Sequence, residues 1–123
     1  MQAVKKTGPT NIILRKTIRK LRSIARKNSA PIWHYVAELL ERPTRRRIVV
    51  NISKINRYTE AGDTVVVPGK VLGSGSLDHQ VIVAATGFSK TAVDKITKNG
   101  GKVMHVLDLA EKNPKGSRIK IIV

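Results

Sequence analysis

The fold is decided by the stretch Thr64-Val65-Val66-Val67-Pro68-Gly69 and by the later run Val81-Ile82-Val83-Ala84-Ala85. Unbroken runs of Val, Ile and Ala are typical of strands that are buried on both faces, as in a parallel sheet. Pro68-Gly69 is predicted to end the first strand, so that Val71-Leu72 forms a separate short strand. These two runs therefore predict fully buried strands of such a sheet.

Shorter elements surround these central strands. Ser89 can cap a helix over 90–98, and Asn99-Gly100-Gly101 can end it. Further along the chain, the pattern predicts a strand over 102–104, a short helix over 107–112 and an edge strand or extended arm over 117–123. Strands that alternate with short helices indicate an α/β fold with a mainly parallel sheet.

A basic helical part precedes this core. Apolar residues at helical spacing predict an amphipathic helix over 11–27, and a second helix is expected from Pro31 to about Arg42. Trp33 is expected to flank the apolar face of that second helix. A short strand over 48–50 and a third helix that ends near Tyr58 complete this part.

The positive charge is concentrated in the first half of the chain. The 123 residues contain 24 Lys and Arg against 8 Asp and Glu, which gives a formal net charge of +16. Residues 1–58 hold 15 of these cations and two acids, whereas residues 59–123 hold nine cations and six acids. We therefore divide one compact domain into a basic helical binding part, 1–58, and an α/β core with a basic C-terminal tail, 59–123.

The first helix carries seven cations and no acid. A solvated helix face usually mixes both signs, because like charges one turn apart repel each other. A plain solvated face is the alternative interpretation, and a membrane-surface helix is disfavoured because large apolar groups are missing opposite the charge. A face that contacts a polyanion is the better interpretation.

The motifs that could carry chemistry are weak. Gly73-Ser74-Gly75-Ser76 lacks the Lys-Ser/Thr and the following helix of a phosphate loop, so it is interpreted as a flexible turn. Asp78 and His79 are adjacent, and neighbours are not expected to orient each other as a catalytic dyad requires. The chain has no Cys, and His34 and His105 lack metal-ligand spacing. We therefore expect no enzyme activity, no cofactor, no metal and no small-molecule substrate.

Recognition of bases is also disfavoured. The first two helices superficially resemble a helix-turn-helix, but the cations lie on the first helix and not on the second, which would read the bases. The four aromatic residues leave almost none to stack on single strands. The remaining interpretation is a protein that binds folded nucleic acid through its phosphates. With no secretory segment and no membrane-length apolar run, we expect an intracellular, soluble chain.

Several long motifs carry a family resemblance. They are Ala30-Pro31-Ile32-Trp33, residues 42–47, residues 50–58, residues 62–73, Leu77-Asp78-His79 and residues 113–117. In these motifs the chain resembles the archaeal and eukaryotic large-subunit ribosomal protein eighteen-e family, which is related to bacterial ribosomal protein fifteen. The resemblance spans nearly the whole chain, and the short length is similar to that of archaeal members.

The resemblance implies an irregular strand-strand-helix winding of the α/β type, preceded by a basic helical N-terminal part. It also implies a structural protein of the cytoplasmic ribosome that binds large-subunit ribosomal RNA and contacts neighbouring ribosomal proteins. Together with the charge pattern, it predicts phosphate contacts by Arg15, Lys16, Arg19, Lys20, Arg22, Arg26, Lys27, Arg45, Arg46, Arg47, Lys54 and Arg57. Secondary contacts are expected from Lys70, Lys115 and Arg118, because nearby glycines could let the backbone approach RNA. The expected role is to fasten RNA helices together during assembly.

Two alternatives remain open at this point. A nucleic-acid chaperone or DNA-compacting protein would share the charge, but it would not sediment with large ribosomal subunits. An RNA-modifying enzyme would need a cofactor or nucleophile site, and none is visible in the sequence.

Replacement of Arg45, Arg46 and Arg47 together by Ala is predicted to weaken RNA binding without unfolding the domain, because this half of the chain has few acids to pair with them. Filter binding to RNA and a circular-dichroism melt check the two halves of this prediction. An unfolded variant that still binds RNA normally would contradict it.

Overall fold

Five helices and five strands occupy residues 12–42 and 48–123, the residues that the computed structural model describes. In chain order they are α1 (Ile12–Asn28), α2 (Pro31–Leu40), β1 (Ile48–Asn51), α3 (Ile52–Tyr58), β2 (Asp63–Leu72), β3 (Val81–Phe88), α4 (Lys90–Lys98), β4 (Lys102–His105), α5 (Val106–Lys112) and β5 (Ile119–Ile121). The predicted α/β class is confirmed.

The strands form one sheet in the order β1-β2-β3-β4, with β5 also paired to β2. Every pair is parallel. Strand β5 lies beside the first half of β2 and β1 beside its second half, so the two share one edge of that strand. The predicted parallel sheet is thus confirmed, and the basic tail does contribute an edge strand.

The sheet is covered on both faces. Side chains alternate along a strand, so neighbouring residues of β2 face opposite sides of the sheet. Val66 of β2 belongs to an apolar cluster with α1, α2 and α5. Its neighbours Val65 and Val67 belong to a second cluster with α3 and α4. All three valines are completely buried. The molecule therefore has three layers, and the runs of Val and Ile are buried on both faces as predicted.

The prediction that Pro68-Gly69 separates two strands was wrong. Strand β2 runs through both residues, with a register shift against β3 between Val67 and Lys70. Gly69 is paired with Ile48 of β1, and a Cβ on Gly69 would lie 2.0 Å from the Ile48 carbonyl oxygen. The register shift lies at Pro68, whose nitrogen has no hydrogen to donate to β3, and Gly69 lets β1 approach closely. The strand therefore continues through both residues.

Helix α2 ends at Leu40, slightly before the expected end at Arg42. Its Trp33 does not flank the apolar face as expected, because it is completely buried. The indole Nε1 donates hydrogen bonds to the carbonyl oxygens of Pro114, at 3.0 Å, and Asn113, at 3.3 Å. These bonds connect α2 to the turn before β5, which no local pattern could indicate.

The helix ends follow local signals that the sequence contains. Ser89 Oγ accepts the Ala92 amide at 3.2 Å, so the predicted cap of α4 is confirmed. Gly100, with φ +81°, follows α4 in the left-handed conformation that often ends a helix. At α5, the His105 ring accepts the Leu107 amide, and the Asp108 carboxylate accepts the His105 amide.

The C-terminal strand is held to β2 by main-chain and ionic contacts. The Ile122 amide donates to the Val66 carbonyl oxygen at 3.1 Å. The Lys120 ammonium lies 2.8 Å from the Asp63 carboxylate, and this contact lowers the pKa of Asp63, with help from the Glu60 amide. The basic tail is therefore part of the sheet and not a free arm.

Replacement of Trp33 by Phe should lower the free energy of unfolding by about 1–3 kcal/mol, because two partly buried carbonyl groups lose their donor and a cavity remains. Urea unfolding followed by far-ultraviolet circular dichroism measures this change. The control is Tyr35→Phe, which removes an exposed hydroxyl and should change stability by less than about 0.5 kcal/mol. Equal effects of the two variants would contradict the prediction.

Candidate nucleic-acid interface

Helix α1 presents a cationic surface because its other side is required by the core. Thr17, Ile18, Leu21 and Ala25 are buried against the rest of the molecule. The exposed cations on the opposite side are Arg15, Lys16, Arg19, Lys20, Arg26 and Lys27. We call these six residues the α1 surface. The predicted amphipathic helix is confirmed, and the structure brings all six predicted contacts together on it.

The two kinds of cation are separated within this helix. At helical spacing, Arg15, Arg19, Arg22 and Arg26 fall within an arc of about 60°. The lysines, Lys16, Lys20 and Lys27, fall within an arc of about 40° on the other side of the exposed face. Planar guanidinium groups bind phosphate in a bidentate manner, whereas ammonium groups act as point charges. The side of α1 that carries the arginines therefore favours oriented phosphate contacts.

Arg22 of α1 has an acidic partner, Glu41, which follows the end of α2. Its Nη1 lies 2.9 Å from Glu41 Oε2, and its Nη2 contacts Glu41 Oε1. The hydrogen bond from Arg22 lowers the pKa of Glu41, and the same bond raises the pKa of Arg22. The partner of Arg22 thus lies outside its own helix. The pair connects α1 to the end of α2.

The cations of α3 lie on the opposite side of the sheet. Ile52 and Ile55 of this helix pack in the cluster formed by the second face of β2. Lys54 is exposed, and its Nζ donates to the Val123 carbonyl oxygen at 2.5 Å. The Arg57 guanidinium lies 6.0 Å from the ring centroid of Tyr58. Lys54 and Arg57, with Tyr58, form what we call the α3 surface, separate from the α1 surface.

The three secondary contacts are exposed, and the neighbouring glycines make room for other parts of the chain. Gly69, next to Lys70, lets β1 approach closely. Gly116, next to Lys115, has φ +71°, and a Cβ there would lie 2.2 Å from the Ile32 side chain. These glycines therefore face the interior. Lys70, Lys115 and Arg118 remain exposed cations without special backbone access.

The run Arg45-Arg46-Arg47 lies outside the described residues, so the structure does not place it.

A profile of the family that contains the 50S ribosomal proteins L15 and L18e, together with their 60S counterpart, matches residues 28–104, more than half of the chain. The chain belongs to this ribosomal protein family. Two curated archaeal relatives, each named large ribosomal subunit protein eL18, are similar over almost their full lengths. The one from Methanothermobacter thermautotrophicus is 53% identical over 119 residues, which cover 97% of this chain and 98% of the relative.

The second, from Pyrobaculum aerophilum, is 48% identical over 117 residues, which cover 95% of this chain and 96% of the relative. The resemblance drawn from the sequence motifs is thereby confirmed. Because the members of this family are structural ribosomal proteins, the interpretation of the chain as a non-enzyme is confirmed as well.

The glycine-rich loop of this ribosomal protein is not a phosphate cradle. The carbonyl oxygens of Gly73 and Gly75 accept hydrogen bonds from Lys95 Nζ at 2.6 and 2.5 Å. The Ser53 amide donates to the Ser74 carbonyl oxygen at 3.0 Å. A phosphate loop points amides at its ligand, whereas these carbonyls point at a lysine. The segment expected to be a flexible turn is therefore tied to α3 and α4.

Asp78 and His79 do contact each other, so the expectation that neighbours would not orient one another was wrong. His79 Nδ1 lies 2.8 Å from Asp78 Oδ1, and His79 Nε2 lies 2.7 Å from the Thr59 hydroxyl. This order of groups resembles a hydrolase triad. However, Thr59 is only 8% exposed, and its hydroxyl also lies 2.7 Å from the Ile55 carbonyl oxygen. In a ribosomal protein this arrangement fastens the end of α3 to the loop before β3.

Two exposed tyrosines were missed by the sequence interpretation, which held that almost no aromatic residue could be spared for stacking. Tyr35 is 46% exposed and Tyr58 is 54% exposed. Composition alone cannot separate these rings from the buried Trp33.

Within residues 12–42 and 48–123, no group of three His, Asp or Glu is placed to hold a metal ion. None of the described helices has the length and apolar character needed to cross a membrane.

The Arg22–Glu41 pair predicts a pH-dependent stability. Because the folded-state pKa of Glu41 lies below its unfolded-state value, the pair stabilises the fold above the unfolded-state pKa of about 4.3. That contribution disappears as the pH falls through the folded-state pKa. Both side chains are partly exposed, so Glu41→Gln should lower the free energy of unfolding by at most about 1 kcal/mol at pH 7.

Urea unfolding of both proteins between pH 7 and the acid range checks this prediction, and the two curves should converge at low pH. Glu38→Gln is the control, since Glu38 lies in α2 shortly before Glu41 but influences Arg22 only through its charge. A difference that persists after Glu41 is protonated would contradict the prediction.

Proposed function

We propose that this ribosomal protein binds large-subunit ribosomal RNA through phosphate contacts and fastens RNA segments during assembly. The observation that carries the proposal is the α1 surface, where six exposed cations lie on one helix that contains no acid. Like charges at this density repel each other, so the free helix is electrostatically frustrated. Phosphate groups remove that repulsion and release counterions from the RNA.

Within this proposal the α1 surface supplies the primary contacts. Arg15, Arg19 and Arg26 orient the RNA through bidentate phosphate contacts. The lysines of the α1 surface add an electrostatic attraction that depends little on geometry. Arg22 has a different role in the proposal, because Glu41 already neutralises much of its charge. It holds the helix pair in place and contributes at most a weaker contact.

The α3 surface suggests how such a protein could fasten two RNA segments. Helices α1 and α3 pack against opposite faces of the sheet, so their cations point away from each other. We infer that each surface binds a different RNA segment. Tyr58, which is 54% exposed beside Arg57, offers a ring on which an unpaired base could stack.

Further parts of the proposal follow from the family and the charge pattern. Residues 1–58, including Arg45, Arg46 and Arg47, supply most of the RNA contacts, and residues 59–123 supply the core and a basic tail. Lys70, Lys115 and Arg118 add secondary contacts. The relatives are named as large ribosomal subunit proteins, so we propose the same place for this chain, in the cytoplasmic ribosome beside other ribosomal proteins.

The proposal is tested by replacing Arg19, Lys20 and Arg26 by Gln, which removes three charges from the α1 surface. Each lost phosphate contact should reduce the salt dependence, so the log–log slope of affinity against salt should fall by about 2–3. Filter binding to transcribed large-subunit ribosomal RNA over a range of salt concentrations measures the slope.

The matched control is Lys90→Gln, Lys98→Gln and Lys112→Gln, which removes the same charge from exposed positions on α4 and α5. This control should leave the slope nearly unchanged. If both triple variants lower the slope equally, net charge and not the α1 surface would govern binding, and the proposal would fail.

A further inference from the structure

Strand β4 leaves one edge of the sheet open. Among the described residues it pairs with β3 alone and stands at the end of the strand order. The His105 amide points away from β3, since it donates to the Asp108 carboxylate at 3.4 Å. Backbone groups alternate sides along a strand, so the amide and carbonyl of Val103 face the same open edge. Such groups are available to another strand.

A groove lies along this open edge. Its volume is about 560 Å³, and Val103 and Met104 of β4 contribute apolar, partly exposed side chains to it. The end of α4 lines one side through Thr97, and α5 lines the other through Asp108 and Glu111. The groove therefore lies where one more strand would pair with β4, between α4 and α5.

The charges of the groove differ from those of the α1 surface. Asp108 and Glu111 line it together with Lys102 and Lys112, so the two signs balance. Within the described ranges, neither acid forms an ion pair with a cation of this chain. On the α5 side of the groove, however, Asp108 and Glu111 outnumber Lys112, so this side repels phosphate and attracts Lys or Arg. RNA is thus a poor occupant, whereas a basic peptide matches the carboxylates, the apolar side chains and the open backbone groups.

We propose that the β4 edge accepts an extended, basic segment of a neighbouring protein as an added strand. Side chains of that segment alternate, so Lys or Arg faces the carboxylates of α5, and a small apolar residue faces Val103 and the end of α4. Main-chain hydrogen bonds supply affinity and the alternation supplies specificity. This inference goes beyond RNA binding and does not depend on it.

The test uses the full chain, labelled with ¹⁵N, and a short synthetic peptide in which Val alternates with Lys. Peptide addition should shift amide signals of residues 101–105 and of Asp108 and Glu111, and leave those of α1 unchanged. A peptide with N-methyl groups on alternate residues lacks the main-chain donors and should bind roughly tenfold more weakly. A peptide of alternating Val and Glu should bind more weakly than the Lys peptide.

The variant Glu111→Lys adds a specificity test, and it should fold normally because Glu111 is exposed. It should reduce binding of the Lys peptide and improve binding of the Glu peptide. The proposal would be overturned if the N-methylated and unmodified peptides bound equally. It would also fail if, without peptide, the β4 amide signals shifted with rising protein concentration, which would indicate a second copy of the chain. Displacement of the peptide from β4 by an RNA oligonucleotide would be the third contrary outcome. None of these outcomes would affect the salt-slope test of RNA binding.

Discussion

Burial of strand β2 on both of its faces is the constraint on which the rest of this structure depends. The strand pairs with β1, β3 and β5, so three of the other four strands are positioned by its hydrogen bonds. Val66 is buried against α1, α2 and α5, while Val65 and Val67 are buried against α3 and α4. Burying an apolar side chain of this size is worth about 1.5–3 kcal/mol, so each helical layer gains stability from the same short run.

The arrangement of charge follows from this burial. Helix α1 must turn Ile18, Leu21 and Ala25 toward the sheet, and therefore its cations must face outward. Helix α3 obeys the same requirement on the other face, so its cations point in the opposite direction. A three-layer fold with basic residues on both outer layers is suited to lie between two polyanionic segments. The proposed fastening role thus needs no special site beyond the orientation of the helices.

Residues that look functional in the sequence often serve the interior in the structure. Gly69 and Gly116 resemble places where RNA could approach, but each leaves room for another part of the chain. The glycine-rich loop and the Asp78-His79 pair resemble chemistry, yet their contacts tie loops to helices. Long-range contacts are responsible in each case, because the partners are distant in sequence. The α1 surface, in contrast, combines outward orientation with a lack of acidic residues on its own helix.

The sequence by itself determined the α/β class, the parallel sheet, the amphipathic character of α1 and the cap at Ser89, because these depend on residues within a few positions of each other. It also determined which helix would carry the concentrated positive charge, since helical spacing alone places those cations. Only the tertiary structure decided that Trp33 is buried, that Arg22 meets Glu41, that α1 and α3 face opposite ways and that β4 leaves an open edge. Those features depend on which elements pack against each other. Because that packing is set by how the two layers of helices cover the sheet, no short segment of sequence encodes it.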